Sequence, residues 1–155
     1  MSKSLARVQL AAEALGLQVD VQKMDRSTRS AAEAAAVVSC ELDQIAKSVI
    51  FRGGETEQAL LFLTAGGNRV NENKASALAG EALKRADADF IRATTGFAIG
   101  GVAPIGHLNP VRAWFDLRLN EFSEIWAAAG TPHHMFVVEP AALIAASKAT
   151  LADFT

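Results

Sequence analysis

Ser48-Val49-Ile50-Phe51, closed by Gly53-Gly54 and followed by Gln58-Ala59-Leu60-Leu61-Phe62-Leu63-Thr64, is the stretch that decides how this chain folds. Two apolar runs flank a glycine pair, and the connection between them is far too short for a helical crossover. The spacing predicts an antiparallel hairpin. A doubly wound parallel sheet would need a helix at that point, so the hairpin favours an α+β architecture.

Upstream, Leu5, Val8, Ala11, Ala12 and Leu15 recur at helical spacing and Gly16 follows as a stop, which predicts an amphipathic helix over residues 4–15. Leu17, Val19 and Val21 alternate with polar residues as a half-buried strand does. Ser30 and Glu33 form a capping-box pair ahead of the alanine-rich run Ala31 to Val38, a second helix. Downstream, Ala65-Gly66-Gly67-Asn68 reads as a turn, residues 72–85 as a helix, and Phe90-Ile91 as a short strand. Further strands are expected at Val111 to Asp116, Ile125 to Ala128 and Met135 to Val138. Pro140 suits the first turn of a final helix, and Leu151 to Phe154 an edge strand. About seven strands and four helices, without a linker or repeat, predict one domain over 1–155: a mixed, strongly curved sheet flanked by helices.

The composition narrows the function classes. Half of the 155 residues are hydrophobic and 21% are charged, which excludes a disordered chain. No apolar run reaches membrane-spanning length, and Met1-Ser2-Lys3-Ser4 does not open a signal-peptide core, so a cytoplasmic protein with no membrane partner is expected. The single cysteine, Cys40, reads as a small buried hydrophobe. A net charge of −2 argues against gripping nucleic acid by bulk electrostatics, and with no helix-turn-helix pattern it argues against DNA as a partner. The basic residues Lys23, Arg26, Arg29, Arg69, Lys74, Lys84 and Arg85 form either a modest RNA-facing patch or an ordinary mixed surface.

Chemistry is most concentrated in Thr95-Gly96-Phe97-Ala98-Ile99-Gly100-Gly101-Val102-Ala103-Pro104-Ile105-Gly106-His107. Its glycines let the main chain come close to a ligand, and converging N–H groups could hold a carbonyl or phosphate oxygen. A plain glycine-punctuated turn is the competing reading. Lys47, at the mouth of a strand, either sits at a solvated edge or aims its ammonium into a cleft. His133 and His134 follow Pro132 in a turn and are either surface residues or pocket-facing relays. The three histidines lack zinc-site spacing, so no metal is expected, and no cofactor motif is present. No serine stands in a nucleophile elbow, and no phosphate-binding glycine loop opens a helix.

These pieces resemble a known family. Ala46-Lys47-Ser48-Val49-Ile50-Phe51, Gly66-Gly67-Asn68-Arg69-Val70-Asn71 with Lys74, Gly100 to Gly106, Asp116, and Ala129-Gly130-Thr131-Pro132 occur in the order found in the YbaK and prolyl-tRNA synthetase associated family, over roughly residues 20–155. The resemblance implies a free-standing hydrolase that deacylates mischarged aminoacyl-tRNA, with a synthetase as a further partner. It implies that Lys47, Gly100 and Gly101 are catalytic and that Val102, Ala103, Pro104, Gly106, Gly130, His133 and His134 bind substrate. The loop would stabilise the oxyanion, Lys47 would position the acyl end or the terminal sugar-phosphate, and water or a ribose hydroxyl would be the nucleophile. The chain has no tyrosine where members specialised for cysteinyl-tRNA(Pro) often carry one near the first strand, Ala103 where serine is frequent before the loop proline, and Ser48 where alanine-specific editors tend to carry asparagine. A non-catalytic module that binds the aminoacylated 3′ end or a synthetase is the alternative.

Overall fold

The computed structural model describes residues 2–155. The expected hairpin forms its middle: β2 (Ile45–Gly53) pairs antiparallel with β3 (Ala59–Ala65) from Ala46↔Ala65 to Arg52↔Ala59. Around it, β1 (Asp20–Lys23), β5 (Arg112–Asp116), β6 (Ile125–Ala128), β7 (His134–Val138) and β8 (Thr150–Ala152) complete the order β1-β7-β6-β2-β3-β5-β8. A short strand, β4 (Leu83–Arg85), pairs with the far end of β2. β6 joins β2 in parallel, as β5 joins β3 and β8 joins β5, so the eight-stranded sheet is mixed.

Alternation along β2 sorts the side chains onto two faces. Ala46 and Ile50 enter the main core with Leu61, Leu63, Phe115, Phe136, α1 (Lys3–Ala14) and α5 (Pro140–Ser147). Val49 and Phe51 pack on the other face, where Phe62 stacks on Trp114 at 4.8 Å and Phe154 meets it edge-on under α3 (Glu72–Ala79). Ile45 packs there too, beneath α2 (Ala31–Val38), whose predicted Ser30–Glu33 capping box is present. Cys40 is half-buried rather than a core residue; burial raises its thiol pKa, and the thiol donates to the Glu41 carbonyl.

Three expectations about the elements are corrected. Phe90-Ile91 belongs to a helix, α4 (Ala88–Thr95), not to a strand: Asp87 caps it by accepting from the Phe90 N–H, and Gly96 ends it with φ 81°. The helix predicted over 72–85 ends at Ala79, because Gly80 terminates it in the left-handed region and Leu83 finds a pairing partner on β2. Among the described residues there are five α-helices and eight strands, where four and about seven were expected. The strand expected at 17–21 lies slightly later, where Asp20 to Lys23 pair with β7.

Candidate active site

One edge of β2 is covered by β3. The other is shared by two short partners: β6 reaches only Ile45 and Ala46, and β4 only Phe51 to Gly53. Lys47 to Ile50 lie in a gap where no strand pairs with them. The hydrogen-bonded ladder is interrupted there, and a cavity of about 370 Å³ occupies the interruption. Its walls are this stretch of β2, Thr28 to Ala31 at the start of α2, Ile91 of α4, and Ile99, Gly100 and Val102 from the loop. Ile45, Ala34 and Met135 add apolar lining.

Of the residues singled out in the sequence, Lys47, Gly100 and Val102 line this cavity together. The others are placed elsewhere. Ala103 is fully buried in the core, and Pro104 and Gly106 border a separate groove beside α5. Gly130 packs against the Ser4 carbonyl at the start of α1, where a Cβ would come within 2.8 Å. His133 is exposed; His134 Nδ1 lies 2.6 Å from Thr131 Oγ1 and its pKa is lowered, chiefly by desolvation. Neither histidine lines the cavity.

The glycine pair is read here in its surroundings. Gly100 has φ 90°, and the Arg29 side chain lies where its Cβ would be; a Cβ on Gly101 would come within 2.9 Å of the Thr131 main chain. Gly101 donates its N–H to the Ala98 carbonyl at 3.0 Å. The N–H groups of Gly100 and Val102, which line the cavity, have no partner among the described residues and are free to meet a ligand oxygen.

Lys47 shares the Val49 and Phe51 face of β2, opposite the face on which the loop residues Phe97, Val102 and Ile105 pack. Its ammonium donates to the carbonyls of Asn68 (2.6 Å) and Gly66 (3.2 Å). That turn is itself braced: buried Asp116 accepts from the Ala65 N–H and the Asn68 amide, both at 3.0 Å, and Asp43 accepts from the Gly67 N–H. Desolvation, and then the nearby Arg69 charge, lower the pKa of Lys47. Ser48 points the other way, and its buried hydroxyl has no hydrogen-bond partner.

Arg7 was not singled out in the sequence. From α1 it donates Nε–H to the Gly106 carbonyl and Nη2–H to the Gly96 carbonyl, both at 2.8 Å, while its guanidinium lies 4.6 Å from the Phe97 ring centre. It thus holds both ends of the loop. His107, largely buried beside it, bonds to the Ala103 carbonyl at 2.8 Å, and burial lowers its pKa. Thr28 ties the approach to α2 onto the Pro132 carbonyl. The cap pair Asp87 and Gly96 was the available sign that Ile91 would face inward from a helix. An arginine on an amphipathic helix carries no comparable sign.

Comparison with known proteins bears on this geometry. Residues 25–146 match the family described as the aminoacyl-tRNA editing domain. A solved structure described as a candidate trans-editing enzyme for prolyl tRNA synthetase is 43% identical, with a TM-score of 0.93, covering 100% of this chain and 98% of that one. A structure from work on computational epitope backbone grafting onto scaffold proteins is 42% identical, also at 0.93, covering 100% of this chain and 99% of that one. An uncharacterized Bacillus subtilis (strain 168) protein, YwhH, is 28% identical over 121 residues, 78% of this chain and 76% of its own length.

Proposed function

Because the chain belongs to the aminoacyl-tRNA editing domain family, we propose that it is a trans-editing hydrolase that deacylates mischarged aminoacyl-tRNA. The observation that supports this reading is the cavity beside the open edge of β2, lined from one side by Lys47 and from the other by Gly100 and Val102, whose N–H groups are free among the described residues. The acyl group lies among Ala34, Ile45, Val102 and Met135, a lining that suits a small and largely apolar side chain. Water adds to the ester carbonyl. The charge that develops on its oxygen is held by the Gly100 and Val102 N–H groups, donors fixed before the reaction begins. The bond to the ribose oxygen then breaks, a proton passes to that oxygen, and the free amino acid and an uncharged tRNA leave. Lys47, on the opposite face, grips the sugar-phosphate end. Gly101, Ala103, Pro104 and Gly106 act by shaping the loop, and Gly130 by seating α1.

Purified protein incubated with tRNA(Pro) charged with Ala, Ser, Cys or Thr, and with other mischarged tRNAs, tests the proposal. Wild type is expected to release amino acid catalytically. Gly100→Val, which forces a branched side chain onto a φ of 90° and into Arg29, is expected to lower the rate by about 10²-fold or more, the scale of a lost oxyanion donor. Saturable binding of charged tRNA with no turnover would instead make the protein a binding module.

A further inference from the structure

A second cleft, of about 410 Å³, lies on the Lys47 side of the same gap. Lys47, Val49 and Ile50 line both cavities, so the two share a wall at the open edge of β2. Its remaining walls are Phe51, Val70, Glu72 and Ala86, with the side chains of Arg69 and Arg85. Arg69 follows the turn that holds the Lys47 ammonium, and Arg85 ends β4 opposite Phe51.

The two arginines differ from most basic residues around them. Arg52 and Lys84 pair with Glu57, Lys74 with Asp153, and Arg118 with Asp43 and Glu121. Arg69 and Arg85 are exposed and have no carboxylate within ion-pair distance among the described residues. Neither donates a side-chain hydrogen bond among the described residues. In a chain of net charge −2, three cations converge on one cleft with a single carboxylate, Glu72, on its wall. Mutual repulsion opposes that grouping unless an anion enters. Behind the cations, Val49, Phe51 and Val70 offer an apolar floor on which a sugar or base can lie.

We propose that Arg69 and Arg85, with Lys47, bind the phosphodiester backbone of a single-stranded RNA 3′ end, whose terminal ester reaches through the gap in β2 into the acyl cavity. This extends the editing reading by naming where the nucleotides next to the ester lie. Guanidinium groups suit the task, since each can give two parallel hydrogen bonds to a phosphate. Of the basic patch considered from sequence, Arg69 and Arg85 line this cleft, Arg29 lines the other cavity, and Lys74 and Lys84 are committed to carboxylates.

The test uses binding, so that it stands apart from turnover. A fluorescent RNA minihelix ending in single-stranded CCA, and the same minihelix without its last three nucleotides, are titrated by anisotropy at several salt concentrations. Wild type is expected to prefer the overhang at least tenfold. Arg69→Gln with Arg85→Gln should abolish that preference and flatten the salt slope by about 1.4, at roughly 0.7 per lost contact to a single strand. Lys84→Gln serves as the control for loss of any nearby charge. A wild type indifferent to the overhang, a preference that survives in the double variant, or an equal loss in Lys84→Gln would overturn the proposal. Failure of wild type to deacylate any charged tRNA would refute the hydrolytic reading without deciding this one.

Discussion

Arg7 gives the sharpest test of how the loop is held. Replacing it by methionine keeps an unbranched apolar stem on Phe97 but removes both bonds that span the loop from Gly96 to Gly106. Each is a charge-assisted hydrogen bond worth about 1.5 kcal/mol at the low end, appropriate to a half-buried donor. The guanidinium over Phe97 adds about 0.5 kcal/mol. Together they predict a loss of about 3.5 kcal/mol in urea unfolding. The chemistry should suffer further, because the Gly100 and Val102 donors sit between the two released ends. A fall in kcat of about 10²-fold, with KM little changed, is expected from misplaced oxyanion donors. Arg7→Lys, which keeps the charge and loses the planar fork, should fall between. Added guanidinium at concentrations well below denaturing should restore part of the kcat of Arg7→Ala. A variant within about 0.5 kcal/mol of wild type in stability, the scale of an ordinary surface substitution, and with full kcat, would show that α1 does not brace the loop. The helix lies outside residues 25–146, so the family match says nothing about it.

Three further outcomes follow from groups already placed. Ser48 buries a hydroxyl with no partner, so Ser48→Ala should raise stability by about 1 kcal/mol in chemical unfolding, and a loss of that size would mean the hydroxyl is bonded. Because desolvation and Arg69 lower the Lys47 pKa, the alkaline limb of kcat should lie below an ordinary lysine's. Arg69→Gln removes a like charge and should move that limb to higher pH, and an unmoved limb refutes the coupling. His107 is held below its ordinary pKa, so on acidification the unfolded chain takes up a proton that the native state refuses. Its contribution is present above the unfolded-state value, about 6.5, and is lost as pH falls toward the folded one. Unfolding midpoints of His107→Gln should show a shallower decline than wild type over that range.

The hairpin was legible because two apolar runs flank a glycine turn, and the capping box of α2 because Ser30 and Glu33 stand at the required spacing. Phe90-Ile91 misled because two residues of strand-forming type outweighed the caps around them, Asp87 and Gly96. The gap in β2 could not be read at all. It depends on β6 stopping at Ala46 and β4 starting at Phe51, two partners drawn from distant parts of the chain. The aim of the Lys47 amine was equally hidden, since carbonyls at Gly66 and Asn68 fix it and neither side chain announces that. The loop glycines pointed to close approach, and close approach occurs, though for Gly101 the neighbour is the protein's own Thr131.

A break in a sheet's bonding has an evolutionary corollary. Where a chamber is hollowed from a surface loop, resizing it usually means rebuilding the backbone. Here the strands' own spacing makes the room, and residues such as Ala31, Ala34 and Met135 merely upholster it. On the proposed reading, exchanging them for bulkier or slimmer neighbours would retune which acyl group fits while leaving Gly100 and Val102 in place, so preference would change without a change of backbone.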